Sequence, residues 1–92
     1  MQALAEIQVI PLGVGVSVRR QVKRAQGIIE ESGLRFEAHA YGTNVEGDLD
    51  VILATVKRIH ELLHAEGTPR IATALKIGTR TDKAPTLAGK RL

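Results

Sequence analysis

The chain has 92 residues, no Cys, 43% hydrophobic and 25% charged residues, and a formal net charge of +3. That length bounds it to one domain with a modest core, and the missing Cys removes disulfides, thiol catalysis and Cys-based zinc sites together. A pI of about 9.7 with one Tyr, one Phe and no Trp leaves little to stack on bases, which disfavours a nucleic-acid partner. No apolar run is long enough to span a bilayer, and the stretch from Met1 to Ile10 lacks the basic segment of a signal peptide. No membrane partner is therefore expected, and a cytoplasmic location is.

Residues Ala3 to Ile10 alternate, with Ala3, Ala5, Ile7 and Val9 on one face and Leu4, Glu6, Gln8 and Ile10 on the other. This is a half-buried strand, ended by Pro11 because proline donates nothing to a ladder. Leu12 to Val16 forms a loop with two glycines. Ser17 is a plausible N-cap for a helix in which Val18, Val22, Ala25, Ile28 and Ile29 recur at helical spacing to about Ser32, with Gly33 past its end. Leu34 to Tyr41 alternates again, and Gly42 permits a turn. Thr43 to Glu46 reads as a short third strand broken by Gly47. Asp48 can cap a second helix, whose stripe is Leu49, Ile52, Leu53, Val56, Ile59, Leu62 and Leu63; Gly67 and Pro69 follow it. Ile71, Thr73, Leu75 and Ile77 alternate with Ala72, Ala74 and Lys76 in a last strand. Residues 78–92 are polar and form a tail or a docking arm.

The order β, α, β, β, α, β gives an α+β domain over residues 1–92. Its expected form is a ferredoxin-like βαββαβ sandwich: a four-stranded antiparallel sheet with two helices on one face. The other sheet face would carry Glu6, Gln8, Glu37, His39, Tyr41 and Lys76 beside Ala72 and Ala74. Such a face is either solvated or a wet interface between subunits.

Several constellations invite chemistry. His60 and His64 stand four apart on one helix face, but the sequence places no third ligand, so a solvated helix face is expected and no metal. Gly13-Val14-Gly15 is too short for a phosphate-binding glycine pattern and reads first as turn chemistry. Arg19, Arg20, Lys23 and Arg24 crowd the start of the first helix while Glu30 and Glu31 end it, against the helix macrodipole. Either a cost of a few tenths of a kcal/mol is tolerated, or these bases meet something acidic: a neighbouring subunit, a phosphorylated ligand or RNA. The serines are only Ser17 and Ser32, neither on a nucleophile elbow, and no residue asks to be called catalytic. The densest cluster of polar residues is Tyr41 to Asp48, a hairpin with a helix cap or a site.

Three stretches resemble the thiamine-binding protein family, the YkoF-like small domains. They are Ile10-Pro11-Leu12-Gly13 with Ser17; Glu31-Ser32-Gly33-Leu34 leading to Gly42-Thr43-Asn44-Val45-Glu46-Gly47; and Gly67-Thr68-Pro69-Arg70 leading to Lys76-Ile77-Gly78-Thr79-Arg80-Thr81-Asp82. The resemblance implies a ferredoxin-like fold, homo-oligomers built as dimers of dimers by sheet association, no catalysis, no cofactor, and thiamine or its hydroxymethylpyrimidine moiety as ligand. Carried over by motif, Ser17, Thr43 and Glu46 are pocket candidates, with Asn44 adjacent. Tyr41 is the aromatic available to stack on a ring. The strand-one loop and the strand-two/strand-three turn are expected at opposite edges, so a neighbouring chain could complete the site. The alternatives are a structural or regulatory oligomeric domain with no ligand of its own, or a basic RNA-associated protein.

Overall fold

The computed structural model describes residues 1–15 and 18–90. Strand β1 (Gln2–Leu12) is followed by helix α1 (Arg19–Glu31), the hairpin of β2 (Arg35–His39) and β3 (Gly42–Asp48), helix α2 (Leu49–Ala65) and strand β4 (Arg70–Gly78). A short 3-10 turn, Ala88–Lys90, follows in the tail. The strands form one sheet in the order β2-β3-β1-β4, with every neighbouring pair antiparallel. This is the ferredoxin-like α+β arrangement that the alternation predicts.

The register sorts the faces. Ala5 stands opposite Val45 and Ile77, and Ile7 opposite Thr43 and Leu75. These residues turn toward the helices, where Ala25, Ile28, Ile29, Ile52, Ile59 and Leu63 meet them to form the core. Leu4, Glu6, Gln8, Asn44, Glu46, Ala72, Ala74 and Lys76 take the opposite, outer face, because successive strand residues alternate. Truncating a core residue such as Ile52 or Ile59 costs about 2–5 kcal/mol.

Several boundaries differ from the sequence expectation. Pro11 does not end β1; it pairs with Ile71, and the strand runs on to Leu12. Gly47 does not break β3, which continues to Asp48. A Cβ at Gly47 would overlap the Cδ2 of Leu34, so glycine makes room for a core side chain there. β2 stops at His39, and Tyr41 sits in the Ala40-Tyr41 turn, not on the outer face. Leu53, placed in the apolar stripe of α2, is 46% exposed; Thr55 is buried instead, its hydroxyl donating to the Val51 carbonyl at 2.7 Å. The N-cap of α1 is Val18, with no side-chain cap bond. Ser17, expected there, lies outside the described residues. Asp48 caps α2 as expected, its carboxylate accepting the Asp50 N–H at 3.1 Å. Gly33 and Gly67 end the helices with φ of 79° and 104°, the left-handed region where glycine is unstrained.

The tail doubles back on the outer face, with Pro85 buried beside Leu4 and Gly78. Among the described residues, no helix is long and apolar enough to cross a membrane.

Candidate ligand site

The four strands are unequal, and that inequality makes a cavity. β1 and β2 both run antiparallel to β3, so both end on the same side of the sheet. The strand-one loop and the hairpin turn therefore share one end of the sheet, not opposite edges. β1 outruns the hairpin: its pairing with β3 stops at Ile7 opposite Thr43, while its pairing with β4 continues to Leu12. From Gln8 onward the strand has no β3 neighbour, and a notch opens between the hairpin turn and the overhang. Gly42 marks its corner, so close that a Cβ there would stand 2.6 Å from the Ile7 carbonyl oxygen.

Helix α1 closes the notch from the core side. The cavity measures about 150 Å³. Val9, Val22, Ala25 and Ile29 supply apolar wall, and Gln8, Gln26, His39 and Tyr41 supply polar atoms. Within the β1 overhang Val9 also turns its backbone N–H and C=O to this side, and Pro11 its C=O alone. An apolar pocket with a few convergent polar groups is the usual form of a small-ligand site.

His39 is held in one tautomer. Its Nδ1 accepts the Tyr41 backbone N–H at 3.3 Å, so in the neutral ring the proton is on Nε2. That nitrogen donates to Asn44 Oδ1 at 3.1 Å, with the Glu6 carboxylate 3.4 Å away. One imidazole thus fixes the hairpin turn and ties the notch to the outer face. The two glutamine amides offer both donors and acceptors. Tyr41, 77% exposed, presents an aromatic ring at the rim.

The residues singled out from the sequence are divided by this geometry. Tyr41 lines the notch, and Asn44 reaches it through His39. Thr43 is 4% exposed and faces the helices. Glu46 is on the outer face, its side chain 11% exposed, 3.5 Å from the guanidinium of its cross-strand neighbour Arg35. Ser17 is outside the described residues. Gln8, Gln26 and His39 were not singled out as pocket residues from sequence. Gln26 carried a usable signal: a polar residue between Val22 and Ile29 in the helical stripe.

A second cavity of about 280 Å³ lies on the outer face, where Leu87 of the tail approaches Leu4, Glu6, Asn44 and Lys76. On α2, His60 and His64 are not a bare solvated face. His60 Nε2 is 2.6 Å from the Thr73 hydroxyl, and His64 Nδ1 donates to the Thr68 carbonyl at 2.8 Å. Among the described residues, no group of three or more His, Asp or Glu side chains is placed to hold a metal.

Residues 5–91 match the family described as thiamine-binding protein. The chain belongs to that family. Among similar members, a UPF0045 protein of Synechocystis is 48% identical over 90 residues, covering 98% of this chain and 74% of the relative. The crystal structure of a hypothetical protein from Methanocaldococcus jannaschii superposes with a TM-score of 0.90 at 39% identity, covering 97% of this chain and 91% of the other. A candidate thiamine biosynthesis/salvage protein of Thermotoga maritima shares the fold, with a TM-score of 0.87 at 23% identity, covering 98% and 95% of the two chains.

Proposed function

We propose that this protein binds a small pyrimidine, the hydroxymethylpyrimidine moiety of thiamine or thiamine itself, without transforming it and without a cofactor. The observation that carries the reading is the notch between β1, α1 and the hairpin turn, in a chain of the thiamine-binding family. The description of the Thermotoga neighbour points the same way. An aminopyrimidine has an amino donor and ring-nitrogen acceptors, and the Gln8 and Gln26 amides match both. Valine, alanine and isoleucine side chains meet the ring, and Tyr41 lies where it can cover it. At about 150 Å³ the cavity is smaller than the roughly 300 Å³ at which drug-sized pockets begin. It suits one substituted six-membered ring better than two joined rings.

Calorimetric titration of the protein with hydroxymethylpyrimidine and thiamine tests this. Saturable binding of the pyrimidine is expected, weakened about tenfold by Gln26→Leu, the cost of one lost hydrogen bond. Glu46→Gln and Thr43→Val are expected to leave affinity unchanged. Loss of binding in Glu46→Gln with an intact notch would move the site to the outer face. Assembly into dimers of dimers through that face belongs to the same proposal. Support comes from Ile10 and Leu12, 38% and 39% exposed beside the small Ala72 and Ala74. Light scattering giving a monomer mass at micromolar concentration would end that part.

A further inference from the structure

We infer that the pyrimidine held in the notch is a phosphate monoester, and that Arg19 and Lys23 receive its phosphate. The inference rests on the notch being the pyrimidine site. Val22 and Gln26 line the notch, and Arg19 and Lys23 stand three residues before them, one turn toward the helix start. Residues at that spacing are surface neighbours, and helical side chains lean toward the N-terminus. The two cations therefore flank the notch on its solvent side, where a substituent leaving the ring would emerge.

Both side chains are exposed, and neither has an acidic partner among the described residues. Two acids that border α1 are engaged elsewhere, and Glu30, on the same flank, stands two turns beyond Lys23. Glu66 takes Arg24 on the other flank of α1 at 3.0 Å, and Glu31 takes Arg58 at 3.2 Å. Arg24 is thus accounted for by the packing of α1 against α2, while Arg19 and Lys23 are not. Their placement also works against helix α1, which has no acid in its first turn and no base in its last.

Charge then selects among ligands. Thiamine carries a thiazolium cation, which two nearby cations repel. Unphosphorylated hydroxymethylpyrimidine is neutral and gains nothing from them. A phosphate monoester carries about −1.5 to −2 charges and gains from both, through the arginine fork and the point charge of lysine. The notch reads the ring, and the helix flank reads the phosphate.

The test is calorimetry on the full chain at low and physiological salt with hydroxymethylpyrimidine, its phosphate monoester, thiamine, thiamine monophosphate, inorganic phosphate and a short RNA. The phosphorylated pyrimidine is expected to bind about ten- to a hundredfold tighter than the free alcohol, with thiamine weaker than thiamine monophosphate. In Arg19→Gln/Lys23→Gln that preference disappears while affinity for the free alcohol stays as it was. Both residues are exposed, so circular dichroism should show a folded variant. Equal affinity for the alcohol and its phosphate, or a preference that survives the double substitution, overturns the inference and leaves the pyrimidine site standing. RNA binding tighter than that of the phosphorylated pyrimidine overturns it in favour of a polyanion surface. Binding of neither pyrimidine strikes the notch itself, and with it the assignment of these cations.

Discussion

Helix α2 begins at Asp48, whose carboxylate accepts an N–H of the first turn; it has Asp50 among its first residues and His64 in its last turn. Helix α1 begins at Val18 without a side-chain cap, opens on Arg19 and Arg20 and closes on Glu30 and Glu31. The two helices pack on the same sheet face and against each other, so their surroundings do not explain the contrast. In α2 the cap and the charges of the first and last turns suit the helix dipole. In α1 the charged end residues oppose it. The difference separates a helix whose ends stabilise it from one whose exposed basic flank does not.

The largest effect that sharpens this contrast comes from paired truncations. Ile52→Ala in α2 empties a fully buried position and is expected to cost about 2–5 kcal/mol. Val22→Ala in α1, facing the notch, is expected to cost less than about 1.5 kcal/mol, because water or ligand already borders it. Urea denaturation of both variants measures the two. Equal losses would break the contrast, by showing that α1 carries the core as heavily as α2.

Next comes the cap. The Asp48 carboxyl lies below the usual carboxylate range, first because the chain's terminal ammonium donates to it at 3.0 Å and also because it accepts N–H bonds from α2. A lowered folded-state value means that its stabilisation is full above the ordinary carboxylate pKa of about 4 and is lost as pH falls through the folded-state value. Thermal melts of Asp48→Ala should fall below those of the parent at pH 7 and converge with them in acid. Asp48→Asn should keep most of the cap and lose only the pairing with the ammonium. Melts of Asp48→Ala and Asp48→Asn that coincide would assign the whole effect to that pairing.

The smallest expected effect has the opposite sign. Arg19→Glu puts an acid in the first turn of α1 and should stabilise the protein by about 0.3–1 kcal/mol while weakening the binding of a phosphorylated ligand. A gain in melting temperature with no loss of affinity would show that the charge of α1 serves neither the helix nor the ligand.

Much of the fold was legible because alternation at period two and apolar spacing near period 3.6 are local signals. Ile7, Val45 and Leu75 declare their face without knowledge of their neighbours. Gly47 misled for a physical reason: glycine is a poor strand former in isolation, and only the position of Leu34 shows why it is needed. Tyr41 misled similarly, since the strand pattern ran through it while the His39 ring captured its N–H and turned the chain. The notch was not legible at all. It exists because β1 continues five residues past its last β3 partner, from Ile7 to Leu12, beside a hairpin that has already turned. No motif encodes a difference between two strand lengths. Gln8 and His39 could be placed on a face from sequence, but not beside a gap.

Pro11 gives that overhang a further property. A strand that has lost a neighbour midway along its length is an open template, and any extended peptide could add itself there by backbone pairing. Pro11 lies within the bare stretch and brings no N–H to it. The gap can hold a small molecule that takes one or two backbone contacts, but it offers a poor ladder to another chain. Without that N–H the strand offers an incoming chain a broken ladder, which favours a pocket over a seam at this opening.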